Sequence, residues 1–216
     1  MKTSPRQRTE TAIAHASGPF APAFEYMVDA AQRSLLFWDV MRQSGNQYRE
    51  HLAETAPHVL DYEAELVVVI GTEAKDVTID DAWSVVAGLT IGQDVSDRGL
   101  QNAGDRPQFS LGKSHDGYGP TGPYVVSPDL LPQRDDLAVR CVVNGEERQS
   151  DRTSNLIFPV AELVSYLSGV LTLQPGDLIF TGTPAGVGLA TGTFLRAGDV
   201  VETEIDGLGA LRTSCV

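Results

Sequence analysis

The stretch Asp61-Tyr62-Glu63-Ala64-Glu65-Leu66-Val67-Val68-Val69-Ile70 decides how this chain is read. Its second half is the Val/Ile/Leu run of a buried strand, and its first half interrupts that pattern with two glutamates two residues apart. Successive strand side chains point to opposite faces, so Glu63 and Glu65 share one face while Tyr62, Ala64 and Leu66 take the other. Two like charges held so close need a cation, a proton or water, because an uncompensated buried carboxylate is very costly. The stretch therefore asks for a metal ion or a basic partner. A solvated edge face is the alternative that spacing alone leaves open.

Working outward, the chain after Pro57 keeps this texture. Apolar runs at Glu65 to Ile70, Val85 to Val95, Leu137 to Val143, Asp177 to Thr181 and Asp199 to Ile205 alternate with Gly, Pro and Asp turns. Val143-Asn-Gly-Glu146 carries the Asn-Gly signal of a tight hairpin, and Gly-Asp pairs precede the strands at Asp177 and Asp199. Helices are expected from Thr78, with Asp80 and Asp81 in the first turn, and from Pro159 through Val170. Before Pro57 the spacing differs: Phe24, Met27, Val28, Ala31, Leu35, Leu36 and Val40 recur every three or four residues and predict an amphipathic helix, with a second helical stretch after Gly45. The expected organisation is an N-terminal helical extension or lid over 1–58 and a catalytic domain over 59–216. The expected class is α+β, mostly β.

Bulk properties narrow the function. With 216 residues and 42% hydrophobic content the chain is long enough for a substantial core. A net charge of -13 repels phosphate backbones and anionic lipid, which argues against nucleic acid and membrane partners. No apolar run reaches a bilayer span, and the first ten residues lack the apolar segment of a signal peptide, so a cytoplasmic location is expected. Two cysteines, Cys141 and Cys215, form no disulfide framework and read as ordinary thiols.

Asp94, in Gly92-Gln-Asp-Val-Ser-Asp-Arg98, ends another apolar run and is a third candidate ligand beside Glu63 and Glu65. Three carboxylates suit a hard cation such as Mg2+ or Mn2+ and leave positions open for water and substrate. Arg98, Gln101 and Lys113, together with the Gly-rich stretch Thr181 to Gly188, offer donors for an anionic ligand. That stretch has neither the dinucleotide fingerprint nor the P-loop spacing, and a plain turn is its other reading.

Seven motifs then stand in a fixed order: Tyr62-Glu-Ala-Glu-Leu66, Gly92-Gln-Asp-Val-Ser-Asp-Arg98, Gly112-Lys-Ser114, Pro120-Thr-Gly-Pro123, Val143-Asn-Gly-Glu146, Gln174-Pro-Gly-Asp177 and Thr181-Gly-Thr-Pro-Ala-Gly-Val-Gly188. In this order the chain from about Leu60 to Val216 resembles the fumarylacetoacetate hydrolase family. The resemblance implies a rolled, mixed, barrel-like β-sheet around a Mg2+ or Mn2+ ion, with Glu63, Glu65 and Asp94 as its ligands and a homodimeric assembly. It implies a substrate shell of Arg98, Gln101, Lys113 and Thr183, with Lys113 also counted among the catalytic groups. The implied activity is hydrolysis of a carbon–carbon bond in 2,4-diketo acids such as acylpyruvates or diketo-deoxy sugar acids, or decarboxylation or isomerisation of related oxo acids.

Hydrolysis also needs a base to activate water, which the family takes from a His-x-x-Glu pair on a short helix. His51 and Glu54 match that pattern, and His115 is a second candidate. Eight residues separate Glu54 from Glu63, far fewer than the family carries there. A metal- and oxo-acid-binding protein with little turnover is the reading from another functional class.

Overall fold

The structure is a computed structural model that describes residues 59–216. Residues 1–58, where the sequence predicts a helical extension carrying His51 and Glu54, lie outside the described residues. The described elements run β1 (Leu60–Asp61), β2 (Ala64–Ile70), β3 (Val86–Gln93), β4 (Ser96–Asp97), α1 (Arg98–Gln101), β5 (Thr121–Val126), β6 (Ala138–Val143), β7 (Glu146–Arg152), α2 (Val160–Val170), β8 (Leu178–Phe180), α3 (Gly188–Thr191), β9 (Val200–Ile205) and β10 (Gly209–Ser214), with four short 3-10 turns between them. The mainly β expectation holds.

Two four-stranded sheets, ordered β5-β3-β2-β8 and β10-β9-β6-β7, form the body, and β1 pairs with β4 alongside. The fold is the mostly β one that the family resemblance implies. Every strand pair among the described residues is antiparallel, and neither four-stranded sheet closes on itself. Tight local hairpins account for part of this. At the β6–β7 turn Asn144 and Gly145 take φ of 51° and 83°, the left-handed pair of a type I′ turn, so Val143 faces Glu146 and the two strands must run antiparallel.

The core lies between the sheets. Tyr62, Ala64, Leu66, Val68 and Ile70 project from one side of the β2 segment and cluster with Leu89 and Ile91 of β3, Cys141 and Val143 of β6, and Val201 and Ile205 of β9. The even-numbered residues thus bury as their alternation requires, and the odd face is left to carry Glu63 and Glu65. Burial holds the Cys141 thiol protonated, with its pKa pushed up to about 11, as an inert core group.

Helix α2 packs through Val160, Val164 and Ser168, spaced four apart. Ser168 fastens it to the body, since its hydroxyl accepts the Val77 N–H at 2.9 Å. The helix expected from Thr78 is a correction: it is one 3-10 turn, Ala82–Val85, preceded by a Thr78–Asp81 hydrogen bond at 2.8 Å. Too few residues separate Thr78 from the strand at Val86 to repay α-helix nucleation. Both Gly-Asp turns share one device, in which Asp177 accepts the Gln174 N–H and Asp199 the Arg196 N–H, each at 2.7 Å.

Candidate metal centre

The centre forms where β2 begins. Glu63 precedes the strand and Glu65 is its second residue, while Asp94 follows the last residue of β3, held by its N–H to the Glu63 carbonyl at 2.9 Å. Because Ala64 pairs with Gln93 and Glu65 with Gly92, the two strand ends lie side by side and bring the three acids to one place. One carboxylate oxygen of each lies within 4.8 Å of the others. The sequence reading of these three as a group is what the geometry displays.

The basic groups differ in their work. The Lys113 ammonium bridges two of the acids, donating to Glu63 Oε2 at 2.7 Å and to Asp94 Oδ2. Burial pulls its pKa down, but the hydrogen bonds and charges of Asp94 and Glu63 outweigh that and hold it above the usual lysine value. Lys113 thus stands as a cationic donor to the two acids. Arg98 is spent on the protein: Nε donates to Asp61 at 2.8 Å, Nη1 to Gln101 Oε1 at 3.0 Å and Nη2 to Glu63 Oε1 at 2.5 Å. Its guanidinium brackets Glu63 together with Asp61 and Gln101, using three of its five N–H donors. Gln101 accepts from Arg98 with its oxygen, while its Nε2, fully buried, has no hydrogen-bond partner among the described residues.

Glu65 receives no cation at hydrogen-bond distance among the described residues. Its Oε2 accepts the Gly182 N–H at 2.7 Å, and burial, unrelieved by that bond, raises its pKa to about 7. Two amides of the Gly-rich stretch thus turn on the protein's own carboxylates. Gly182 donates to Glu65, and Gly188 and Leu189 donate to Asp61 at 2.6 and 2.9 Å. Thr183 likewise directs its hydroxyl to the Ala64 carbonyl at 2.9 Å. His115 stacks on Tyr118 with ring centroids 4.8 Å apart and lies 3.9 Å from Asp97.

The donor set fits a hard divalent ion. It is all oxygen, its three ligand atoms converge, and one member is a desolvated carboxylate whose charge has no cationic neighbour in contact. Two kinds of residue escaped the sequence reading. Asp61 is fully buried and anchors Arg98; it continues the Glu63/Glu65 alternation one step earlier, and that period was the available signal. Gln93 and Gln149 hold the strand backbone; Gln93 stands out as a polar residue within the apolar run Val85 to Val95, whereas Gln149 lies among polar residues and carries no sequence signal.

The family model of the fumarylacetoacetate (FAA) hydrolase C-terminal domain matches residues 39–216. The chain belongs to the fumarylacetoacetate hydrolase family. It is similar to the 2,4-didehydro-3-deoxy-L-rhamnonate hydrolase of a Sphingomonas species, with 45% identity over 70% of this chain and 54% of that one. It is also similar to the mitochondrial oxaloacetate tautomerase of Xenopus laevis, with 42% identity over 73% of this chain and 50% of that one. Among solved structures, fumarylpyruvate hydrolase from Pseudomonas aeruginosa in complex with Mn2+ and pyruvate superposes with a TM-score of 0.66 at 37% identity, covering 73% of this chain and 66% of that one. The chain spans about half the length of the curated relatives it matches. Those relatives are enzymes, both hydrolases and tautomerases. No helix among the described residues is long and apolar enough to cross a membrane.

Proposed function

We propose that this chain is a Mg2+- or Mn2+-dependent hydrolase that cleaves a carbon–carbon bond in 2,4-diketo acids. The observation that carries the reading is the convergence of Glu63, Glu65 and Asp94 on one point, with the Lys113 ammonium already seated among them. A divalent ion held by those three carboxylates supplies Lewis-acid polarisation of a 2-oxo acid and balances the charge of its enolate.

The chain's own residues do the rest. Asp61 and Glu63 fix the Arg98 guanidinium, which aims Glu63. Lys113, held protonated, donates a hydrogen bond to the substrate's carboxylate or developing enolate. The unpaired Gln101 amide is available as a second donor. In the hydrolytic step water adds to the acyl carbonyl, the bond to the neighbouring carbon breaks, and its electron pair goes to the enolate, which then takes up a proton. The base we assign to that water is His51, oriented by Glu54. The family's homodimer and a small anionic oxo acid as partner are part of the same proposal.

The similarity to an oxaloacetate tautomerase favours a second reading, keto–enol tautomerisation of an oxo acid, which uses the same enolate and needs no added water. Isotopically labelled water separates the two. Hydrolysis incorporates one labelled oxygen into the released carboxylate, and tautomerisation incorporates none into a new carboxylate. Chelation and Glu65→Gln should each abolish turnover. Undiminished turnover in either case sinks the metal-centred reading, and oxo-acid binding with no turnover by any assay turns it into the binding-protein reading.

A further inference from the structure

Strand β2 loses its neighbour just where the two glutamates begin. On its β8 side the backbone ladder stops at the Val67–Phe180 pair. Past that pair one backbone bond remains, from the Thr181 N–H to the Leu66 carbonyl at 3.2 Å, joined by the Thr181 hydroxyl at 2.9 Å; beyond it side chains take over, with Thr183 donating its hydroxyl to the Ala64 carbonyl at 2.9 Å and the Ala64 N–H ending on Gln149 Oε1 at 3.0 Å.

Gln149 is the buried residue of a strand whose other members are exposed or half-buried, and it comes from the opposite sheet. At 1% exposure its amide is fully engaged, the oxygen on Ala64 and the nitrogen on both Thr183 Oγ1 and the Pro184 carbonyl, each at 2.8 Å. It therefore grips two segments at once. One is the peptide between Glu63 and Glu65; the other is the turn whose Gly182 N–H binds Glu65. On the adjoining peptide, the Glu63 N–H ends on Gln93 Oε1 at 3.0 Å, and Gln93 is itself tied to Thr203 at 2.7 Å. Two successive amides of the ligand-bearing segment are thus held by glutamine side chains instead of by backbone carbonyls.

We infer that Gln149 is a positioning residue of the cation centre: it takes the place of the missing ladder bonds at Ala64 and ties the peptide between Glu63 and Glu65 to the turn whose Gly182 N–H orients Glu65. This rests on Glu65 being a metal ligand, as proposed above. An apolar residue in the same volume would leave the Ala64 N–H and the Pro184 carbonyl without the bonds that Gln149 gives them.

The test is Mn2+ affinity of the full chain, read from free Mn2+ by electron paramagnetic resonance alongside thermal melts. Gln149→Leu should weaken Mn2+ binding about tenfold, the scale at which partners of metal ligands act. Gln149→Glu keeps the volume and the acceptor for Ala64 but not the donors to Thr183 and Pro184, and should weaken binding to a similar degree if the leucine variant fails to fold. Thr183→Val cuts the same bridge from its other end. Ser168→Ala removes a buried hydrogen bond on α2 and should lower the melting temperature without changing affinity. Wild-type affinity in the folded Gln149 and Thr183 variants, or an equal loss in Ser168→Ala, overturns the inference. Glu65→Gln separates the two levels: if it loses Mn2+ while the Gln149 variants keep it, the centre stands and the positioning role falls. If Glu65→Gln also binds normally, the centre itself is misassigned and the inference falls with it.

Discussion

Replacing Lys113 with methionine isolates what the ammonium does among three acids. Its nitrogen touches Glu63 and Asp94, and the three side chains are 25%, 12% and 21% exposed. Each contact carries roughly 4 kcal/mol of attraction at an effective dielectric constant of about 20, and desolvation of the partners takes back much of it. Between the near-zero value of a surface pair and the cost of breaking a fully buried one, a loss of about 2–3 kcal/mol is expected for the metal-free protein. For a domain of this size that lowers the melting temperature by about 5–10 °C. The metal-loaded protein should respond in the opposite sense. An incoming divalent ion no longer competes with the ammonium for Glu63 and Asp94, so Lys113→Met should bind Mn2+ about tenfold more tightly and gain more stability from it than the wild type. Turnover should nevertheless fall, because the donor to substrate is gone. Differential scanning calorimetry with chelator and with saturating Mn2+ measures both arms. An unchanged melting temperature in chelator, or a smaller Mn2+-induced rise than in the wild type, refutes the account of Lys113 as the resident cation.

The raised pKa of Glu65 sets a pH dependence opposite to that of most carboxylates. The folded chain holds this proton more tightly than the unfolded one, so its contribution is complete below the ordinary value of 4.5 and is lost as pH rises through about 7. At 3% exposure that contribution is about 3 kcal/mol. Urea denaturation in chelator across this window should show the decline, and Glu65→Gln should flatten it; an unaltered slope in the variant contradicts the assignment. Asp61→Asn removes the carboxylate that accepts from Arg98, Tyr62, Gly188 and Leu189, and should cost about 3–5 kcal/mol while also weakening Mn2+ binding through Glu63. A stable, metal-competent Asp61→Asn rules out the bracket. Gly186 has φ of 108°, and a Cβ there meets the Arg148 carbonyl at 2.0 Å, so Gly186→Ala should cost about 2–4 kcal/mol in urea melts.

What was legible in the sequence follows from where each strand sits. β2, β3, β6 and β9 lie inside their sheets, and their apolar runs were read within a few residues. The strands without such a run, β5, β7 and β10, are all edges. An edge has one ladder and a wetter face, so it tolerates Thr-Gly-Pro-Tyr in β5 and Glu-Glu-Arg-Gln-Ser-Asp-Arg in β7 without an apolar pattern. β7 was announced solely by the Asn-Gly turn before it. The helix at Val160 to Val170 was read from Leu163, Leu167 and Val170, although the positions it buries are Val160, Val164 and Ser168, whereas the turn near Thr78 mimicked a helix start and had no length to continue.

The site divides along a different line. Residue types that must carry charge to do chemistry were visible as anomalies, and Glu63, Glu65 and Asp94 stood out for that reason. Partner choice was not visible, because it depends on which neighbour reaches first. Arg98 and the Gly182 amide read equally well as donors to a ligand, and both are committed to the protein. The need for a cation inferred from the paired glutamates is met unequally: Glu63 contacts two positive groups, Asp94 one, and Glu65 none among the described residues. That inequality is informative. A centre designed to be complete without a metal would distribute its positive charge over all three acids, whereas leaving the most buried acid with only an amide makes it the place where an incoming divalent ion relieves the largest electrostatic cost.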